Sequence, residues 1–294
     1  MRRLIIGCGY LGRRVASRWI ASGDDVFALT RSARNAEQLS QLEVSPILGD
    51  VTSSASLKSL PECDTVLHAV GFDRSAAATK REVYVDGLSK VLDRMAARCD
   101  QFIHISSTSV YGQQDGEWVD EESPCEAKNE SGEICIAAEQ LVLDRFADDS
   151  TPACGTILRL SGIYGPDRLL SRIDALKKAQ PLPGPEDGWL NLIHVDDAAQ
   201  TITTFADSMA SGSVYLVSDD RPVLRSDYYR LLAKLVGAPE PVFDSEAVAR
   251  HSRGINKRCR NRKLREELGV ELQYPDIKSG LAHAVKTSCD LQAE

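Results

Sequence analysis

The sequence of 294 residues lacks an uninterrupted apolar run of the roughly 20 residues that a helix needs to cross a bilayer, so we expect no membrane partner. It also lacks an excess of positive charge. Its 35 Lys and Arg residues against 43 Asp and Glu residues give a formal net charge of −8, with no basic tail. Nucleic-acid binding depends on a positive surface, so the composition argues against a nucleic-acid partner.

The cysteines and histidines lack the spacing of a metal site. The chain has eight cysteines but no CxxC pair, and its five histidines are scattered, so we expect no bound metal. Met1–Cys8 has the charged start of a signal peptide, but its apolar part is too short, and the charged pair Arg13–Arg14 comes soon after it. We therefore interpret this stretch as a strand and expect a cytoplasmic protein with reduced thiols.

What the chain does have is a glycine-rich turn near its start. The apolar run Leu4–Ile6 leads into Gly7-Cys8-Gly9-Tyr10-Leu11-Gly12, after which apolar residues recur every fourth position. This pattern predicts a strand, a turn and a helix, and we expect Tyr10 and Leu11 to bind the cofactor together with the three glycines. Gly7 would permit the tight turn, Gly9 the approach of a diphosphate, and Gly12 close packing of helix on strand. The alternative is a glycine-rich turn without a ligand.

The end of the second strand predicts which dinucleotide is bound. An NAD-binding enzyme places an acidic residue there for the ribose diol. Here Val26–Thr30 is followed by Arg31 and Ser32, with Arg34 close behind. Guanidinium groups and the hydroxyls of Thr30 and Ser32 suit a 2′-phosphate, so we predict NADP rather than NAD. The alternative is that Arg31 and Arg34 are solvated loop charges.

Two later strands complete the predicted cofactor site. Asp50 and Val51 follow the third strand, where the Asp50 carboxylate is placed either to accept from an adenine amine or to cap the next helix. The nearly all-apolar fourth strand ends in Ala69-Val70-Gly71, which we expect to run beside the cofactor. We interpret His68 in this strand as a hydrogen-bonded strand-end residue rather than a catalyst.

The alternation of strands and helices predicts an α/β fold, a doubly wound parallel Rossmann sheet with a smaller C-terminal substrate lobe. The alternation continues through a fifth strand, a polar acidic loop over 113–133, a helix and a sixth strand, and after Leu160 prolines interrupt it. The predicted domains are an NADP-binding domain of residues 1–161 with about 189–218, and a smaller substrate-binding lobe of 162–188 with 219–294.

With these elements in order, the chain resembles the extended short-chain dehydrogenases of the NAD-dependent epimerase/dehydratase family, in an atypical branch with a GxGxxG turn. The resemblance covers nearly the whole length and depends on four motifs, Gly7–Gly12, Ile105–Gly112, Leu158–Pro166 and Asn191–Ala198. It implies an NADP-dependent oxidoreductase or epimerase-like enzyme acting on a nucleotide sugar or a small carbonyl compound. By analogy with the family, the chain would form a homodimer through a helix pair.

The catalytic pair of that family is missing. In the family a Tyr, and a Lys four residues later, precede an Ala-Glu pair; the Tyr is the general acid/base and the Lys lowers its pKa. Aligned on Ala138–Glu139, these positions hold Ser131 and Cys135, which cannot reproduce that chemistry. Ser107 occupies the third catalytic position, with Thr108 beside it. The Ser107 hydroxyl either binds a substrate oxygen or caps the strand end.

Other polar residues are candidates for the substrate site. Tyr111 is a second candidate proton donor, while Arg159 at a strand end and Asn191 in a later motif are placed to line a substrate cleft. A basic cluster late in the chain, which includes the substrate candidates Lys257 and Arg258, either meets nucleotide phosphates or forms a solvated helix face. The cluster consists of Arg253, Lys257, Arg258, Arg260, Arg262, Lys263 and Arg265.

Two functions fit these observations. The first is an NADP-dependent enzyme whose proton relay is rebuilt from other groups, because the glycine turn and Ser107 are retained. The second is a non-catalytic NADP(H)-binding sensor or scaffold, because the Tyr and Lys positions hold Ser131 and Cys135. The enzyme would turn over a carbonyl substrate with NADPH, whereas the sensor or scaffold would not.

Overall fold

The computed structural model of the protein describes residues 1–147, 153–208, 214–244 and 256–290. The strands in them are β1 (Arg2–Ile6), β2 (Asp25–Thr30), β3 (Ser45–Leu48), β4 (Thr65–His68), β5 (Gln101–Ser107), β6 (Glu117–Val119), β7 (Cys154–Leu160), β8 (Gly162–Tyr164), β9 (Leu182–Pro183), β10 (Trp189–Leu190), β11 (Leu192–His194), β12 (Val214–Val217), β13 (Val223–Leu224), β14 (Phe243–Asp244) and β15 (Lys257–Cys259). The α-helices are α1 (Tyr10–Ala21), α2 (Ala33–Ser40), α3 (Gly87–Met95), α4 (Glu130–Arg145), α5 (Leu170–Lys177), α6 (Val195–Ser208), α7 (Arg225–Val236), α8 (Arg262–Leu268) and α9 (Ile277–Asp290).

Seven of these strands form one sheet, in the order β12-β7-β5-β4-β1-β2-β3. The first strand pairs in parallel with β2 on one side and with β4 on the other, so that Ile6 lies opposite both Leu29 and His68. The strand order therefore reverses between β1 and β4, and sheets of this kind bind ligands outside the carboxyl ends of the strands at that point. The predicted doubly wound Rossmann sheet is confirmed.

Apolar strands covered by helices explain why this sheet forms. Leu4, Val66 and Phe102 of neighbouring strands pack with side chains of α3 and α4 in one apolar cluster. A parallel sheet buried under helices needs strands of this composition. A π-helical turn, Glu82–Asp86, precedes α3 and runs directly into it.

The chain divides into two compact units, whose bounds differ from the predicted domains. Unit 1 comprises Met1–Ser107, Glu130–Arg159 and Ala199–Tyr215, and unit 2 comprises Thr108–Asn129, Leu160–Ala198 and Leu216–Glu294. Segments 108–129 and 189–198, predicted as part of the NADP-binding domain, belong to unit 2, because β6 pairs with β15 and β11 pairs with β8. The second unit has an apolar cluster of its own, which includes Tyr164, Leu232 and Leu281.

A buried histidine pair should make the stability of the fold depend on pH. The Nδ1 atoms of His68 and His104 lie 3.1 Å apart, and Nε2 of His68 is a buried atom without a hydrogen-bond partner in the described part of the chain. His68 was interpreted as a hydrogen-bonded residue at the end of its strand, and this holds for Nδ1 but not for Nε2. Burial lowers the pKa of both imidazoles, that of His104 to about 4.

Because the unfolded chain binds protons on these residues below about pH 6.5 and the folded chain does not, stability is full above that pH and declines as the pH falls. We expect the free energy of unfolding to fall by about 1.5 kcal/mol per imidazole between pH 6.5 and 5. Urea denaturation across this range measures the decline. The double variant His68→Leu, His104→Leu should flatten the profile, and a wild-type profile that is already flat would contradict the prediction.

Candidate functional site

The glycine turn at the end of β1 is closely packed at two of its glycines and open at the third. Gly7 has a φ of 96°, and a Cβ atom placed on it would lie 2.5 Å from the carbonyl oxygen of Ala69. A Cβ atom on Gly12 would lie 2.9 Å from the carbonyl oxygen of Gly7. A Cβ atom on Gly9 would meet nothing within 4 Å. Gly7 and Gly12 therefore serve the packing of the turn, whereas Gly9 faces open space.

Helix α1 begins next to that open space without a side-chain cap. It starts at Tyr10, its first turn has no acidic residue, and its N-cap residue, Gly9, has no side chain to bond to the N–H groups there. The first N–H groups of an α-helix have no partner inside the helix, and the helix dipole is positive there. The turn thus has both the room and the donors that the diphosphate of a dinucleotide requires.

At the end of β2 the hydroxyls and the guanidinium groups have different surroundings. Thr30 Oγ1 accepts a hydrogen bond from Asn35 Nδ2 at 2.9 Å, and Ser32 Oγ caps α2 by accepting from the backbone N–H of Asn35.

The two arginines after β2 lie on the surface. Arg34 is exposed, and the exposed side chain of Arg31 forms an ion pair with the exposed carboxylate of Asp73 at 3.1 Å. Sequence reasoning missed Asp73, which is far along the chain. Such a surface pair contributes about 0–1 kcal/mol, so a phosphate can replace Asp73 on Arg31.

The carboxylate of Asp50 is occupied locally. Its Oδ1 atom accepts from the backbone N–H and from the hydroxyl of Thr52, each at 2.8 Å. The Asp50 side chain therefore closes a turn after β3 instead of capping a helix, and its contact with an adenine amine stays a prediction. Next to it, Val51 is buried in the apolar cluster of unit 1. Ala69 and Val70 at the end of β4 are half-buried, and Gly71 is exposed.

The catalytic positions of the resembled family lie on β5 and α4. Ser107 is the last residue of β5 and is half-buried. Ser131 is half-buried in the first turn of α4, and Cys135 is buried one turn later. Helix α4 packs against β5 and also against the π-helical turn Glu82–Asp86. The missing Tyr and Lys therefore leave small side chains on the helix that covers β5.

Arg159 is a structural residue, which corrects its interpretation as a substrate ligand. Its guanidinium donates to both carboxylate oxygens of Glu139, with Nη2 2.7 Å from Oε2, and both side chains are buried. Ser106 Oγ donates to Oε1 of the same carboxylate at 2.5 Å, the oxygen that also accepts from Nε of Arg159. A buried charge pair of this kind keeps its partners in place and leaves the guanidinium in the interior of unit 1.

Asn191, Lys257 and Tyr111 are likewise structural residues of unit 2. The Asn191 side chain donates to the carbonyl of Lys257 and accepts from the N–H of Cys259, which fastens β15. Lys257 is 5% exposed and its ammonium donates to the carbonyl of Tyr111 at 3.3 Å. Burial lowers the pKa of this ammonium. Tyr111 itself has no exposed surface, which removes it as a proton donor to a substrate.

The rest of the basic cluster lies on the surface of unit 2. Arg258 donates to the carbonyl of Gly116 and stacks against the rings of Trp118 and Trp189, with ring centroids 4.9 and 5.1 Å away. Arg262 forms an ion pair with Glu266 one turn along α8, as a solvated helix face would. Arg253 lies outside the described residues. Among the described members of the cluster, Arg258 and Arg260 both lie over the Trp118 ring, with the Arg260 guanidinium 5.3 Å from the ring centroid.

His194, Asp196 and His283 bring potential metal-binding atoms within 4.8 Å of one another. Protein hydrogen bonds account for this proximity. The backbone N–H of Asp196 donates to Nδ1 of His194 at 3.2 Å, and Nε2 of His194 shares a hydrogen bond with Nδ1 of His283 at 3.3 Å. Both ring nitrogens of His194 are thereby engaged, and the group adds no reason to expect a metal.

The sheet and its glycine turn define a Rossmann fold of the class that binds nicotinamide dinucleotides. The sequence profile of the NAD dependent epimerase/dehydratase family matches residues 4–218, and the chain belongs to that family. It is 30% identical to Protein YeeZ of Escherichia coli K12 over 283 residues, which cover 92% of this chain and 96% of that protein.

Two further relatives extend the comparison. The chain is 30% identical to the 4-hydroxy-2-methyl-3-oxo-4-farnesyl-3,4-dihydroquinoline-1-oxide ketoreductase of Stigmatella aurantiaca, over 83% of this chain and 77% of the other. The structure of MoeE5 in complex with UDP-glucose and NAD matches with a TM-score of 0.82 at 22% identity, over 99% of this chain and 100% of that one. The MoeE5 likeness shows a shared fold. Within the described ranges, a helix long and apolar enough to span a membrane is absent.

Proposed function

We propose that the protein is an NADP(H)-dependent oxidoreductase that reduces a carbonyl group, on a small compound or on a nucleotide sugar. The observation that carries the proposal is the open space at Gly9 in front of the uncapped N-terminus of α1, where backbone N–H groups would meet a diphosphate. The Stigmatella relative is a ketoreductase by name, which supports a carbonyl substrate. The UDP-glucose bound by MoeE5 supports a nucleotide sugar as the alternative substrate.

The residues of unit 1 have distinct parts in this proposal. NADPH, when bound, supplies the hydride that the reduction needs. The glycine turn would hold the diphosphate, Arg31 and Arg34 the 2′-phosphate, and Ala69–Gly71 would run beside the dinucleotide. Ser107, half-buried at the end of β5, would donate a hydrogen bond to the carbonyl oxygen and so orient it.

The arginines after β2 predict a preference for NADPH over NADH. Replacing Arg31 and Arg34 together with alanine should weaken NADPH binding about 10- to 100-fold, because charge-assisted hydrogen bonds to a phosphate are lost. Binding of NADH, which has no 2′-phosphate, should change less than about threefold. Calorimetric titration with both dinucleotides measures the difference. The control Lys234→Ala removes an exposed cation near the end of α7. Equal losses for NADPH and NADH would count against the assignment.

A non-catalytic NADP(H)-binding sensor is the second candidate, and the Ser131 and Cys135 side chains at the family's Tyr and Lys positions favour it. The two candidates differ in turnover. The oxidoreductase oxidises NADPH when offered a suitable ketone or keto-sugar nucleotide. The sensor binds NADPH as tightly, leaves its absorbance unchanged with every carbonyl compound, and alters its association with another protein when the dinucleotide binds.

A further inference from the structure

Tyr84 holds its hydroxyl at the carboxyl edge of the sheet. It lies in the π-helical turn Glu82–Asp86, a rare geometry that is frequent at functional sites. Its hydroxyl oxygen accepts a hydrogen bond from the backbone N–H of Phe72 at 3.0 Å, and the two rings meet edge to face with centroids 6.5 Å apart. Two separate contacts therefore fix the position of a half-buried phenol.

That position is next to the strand ends where the family places its catalytic groups. Strands β4 and β5 are neighbours, with His68 opposite His104. Ser107, three residues after His104, ends β5, and Gly71 comes three residues after the end of β4, so both lie toward the same end of the sheet. Phe72, which directly follows Gly71, is the residue that holds the Tyr84 hydroxyl.

Tyr84 also adjoins the helix on which the usual catalytic pair is missing. Helix α4, which carries Cys135 at the family's Lys position, packs against the π-helical turn that contains Tyr84. Burial and Cys135 raise the pKa of Tyr84, and the N–H of Phe72 opposes them. At neutral pH the group is therefore a phenol that carries its proton.

The surroundings of Tyr84 suit a group that gives up a proton and regains it. The ammonium of Lys80 lies 5.2 Å from the ring centroid, where a cation stabilises a phenolate. The N–H of Phe72 bonds to the same oxygen and favours its charged form. Within the described residues the Tyr84 O–H has no acceptor, so its proton is available to a ligand.

We propose that Tyr84 is the proton donor of the reduction, in place of the tyrosine that the family carries at the position of Ser131. This inference rests on the proposed function. As the carbonyl carbon receives a hydride from the reduced dinucleotide, the π electrons of the C=O bond move to its oxygen. The O–H bond of Tyr84 breaks, and its proton passes to that oxygen to give the alcohol. The remaining phenolate takes a proton from solvent.

Kinetics of a matched pair of variants test the inference. Tyr84→Phe and the control Tyr215→Phe each remove one phenolic hydroxyl, and Tyr215 lies on β12, an edge strand of the sheet two strands from β5. With NADPH and a panel of α-keto esters, aryl ketones and keto-sugar nucleotides, kcat of Tyr84→Phe should fall about 10²- to 10⁴-fold. The KM for NADPH should be unchanged. Wild-type kcat in a folded Tyr84→Phe variant would overturn the inference.

A titration that needs no substrate separates this inference from the proposed function. The pH titration follows the ultraviolet absorbance of phenolate in the wild type and in Tyr84→Phe, and the difference between the two curves is the ionisation of Tyr84. Melting curves show that both proteins are folded. Binding of NADP+, whose nicotinamide is cationic, should lower the pH at which Tyr84 ionises by about one unit, whereas NADPH should not. If NADP+ binds without moving this signal, Tyr84 is not the donor and the proposed function stands. If neither dinucleotide binds, the proposed function fails.

Discussion

Replacing Gly9 with alanine should leave the stability of the fold nearly unchanged and remove most of the affinity for NADPH. The added methyl group would meet no protein atom within 4 Å, so we expect the free energy of unfolding to change by less than about 1 kcal/mol. The same methyl group would occupy the space where a diphosphate approaches the backbone of the turn. We expect the Kd for NADPH to rise at least about 100-fold, which corresponds to about 2.8 kcal/mol.

Gly7→Ala is the matched variant with the opposite expected result. Its methyl group would lie 2.5 Å from the carbonyl oxygen of Ala69, and Gly7 has the positive φ of 96° that other residues rarely adopt. We expect a loss of about 2–4 kcal/mol in the free energy of unfolding. Urea denaturation and calorimetric titration of both variants give the comparison. Wild-type NADPH affinity in Gly9→Ala would mean that the dinucleotide is not bound at this turn.

Removing the buried cation of Arg159 should destabilise unit 1 strongly. In Arg159→Leu the Glu139 carboxylate stays buried. It loses its ion pair with Arg159 and keeps the hydrogen bond from the Ser106 hydroxyl. Breaking such a pair by removing one partner costs about 3–5 kcal/mol, because it leaves an uncompensated buried charge. Chemical denaturation of the wild type and the variant measures the loss.

Two further variants show whether burial of the charge is the cause. The double variant Arg159→Leu, Glu139→Leu removes both charges and should recover much of the lost stability. Lys178→Ala breaks the exposed pair of Lys178 with Asp174 on α5 and should cost less than about 0.5 kcal/mol. A loss below about 1 kcal/mol in Arg159→Leu would contradict the account, since it would mean that solvent reaches the Glu139 carboxylate.

Local patterns in the sequence were enough to predict the sheet and its glycine turn. The turn of Gly7 and Gly12 and the apolar fourth strand follow from short-range chemistry, because strand character and φ preferences are set by neighbouring residues. Residues that act through distant partners were harder to predict.

Distant partners explain what sequence reasoning missed. It predicted a loop where β6 forms, because the partner of β6 is β15, far along the chain. It assigned Arg159 to a cleft because the carboxylate of Glu139 becomes its neighbour only in the folded sheet. It did not notice Tyr84, because the π-helical turn that directs this side chain has no signature in the apolar period. The roles of Arg31 and Arg34 stay predictions.

The pairing of β6 with β15 has a consequence during protein synthesis. On the ribosome, residues 117–119 emerge long before residues 257–259, and synthesis proceeds at about 5–20 residues per second. The β6 edge of a nascent chain, with the exposed indole of Trp118, therefore waits on the order of ten seconds for its partner strand. Unit 2 is therefore completed late in translation, because β6 pairs with β15 only after residues 257–259 have been made.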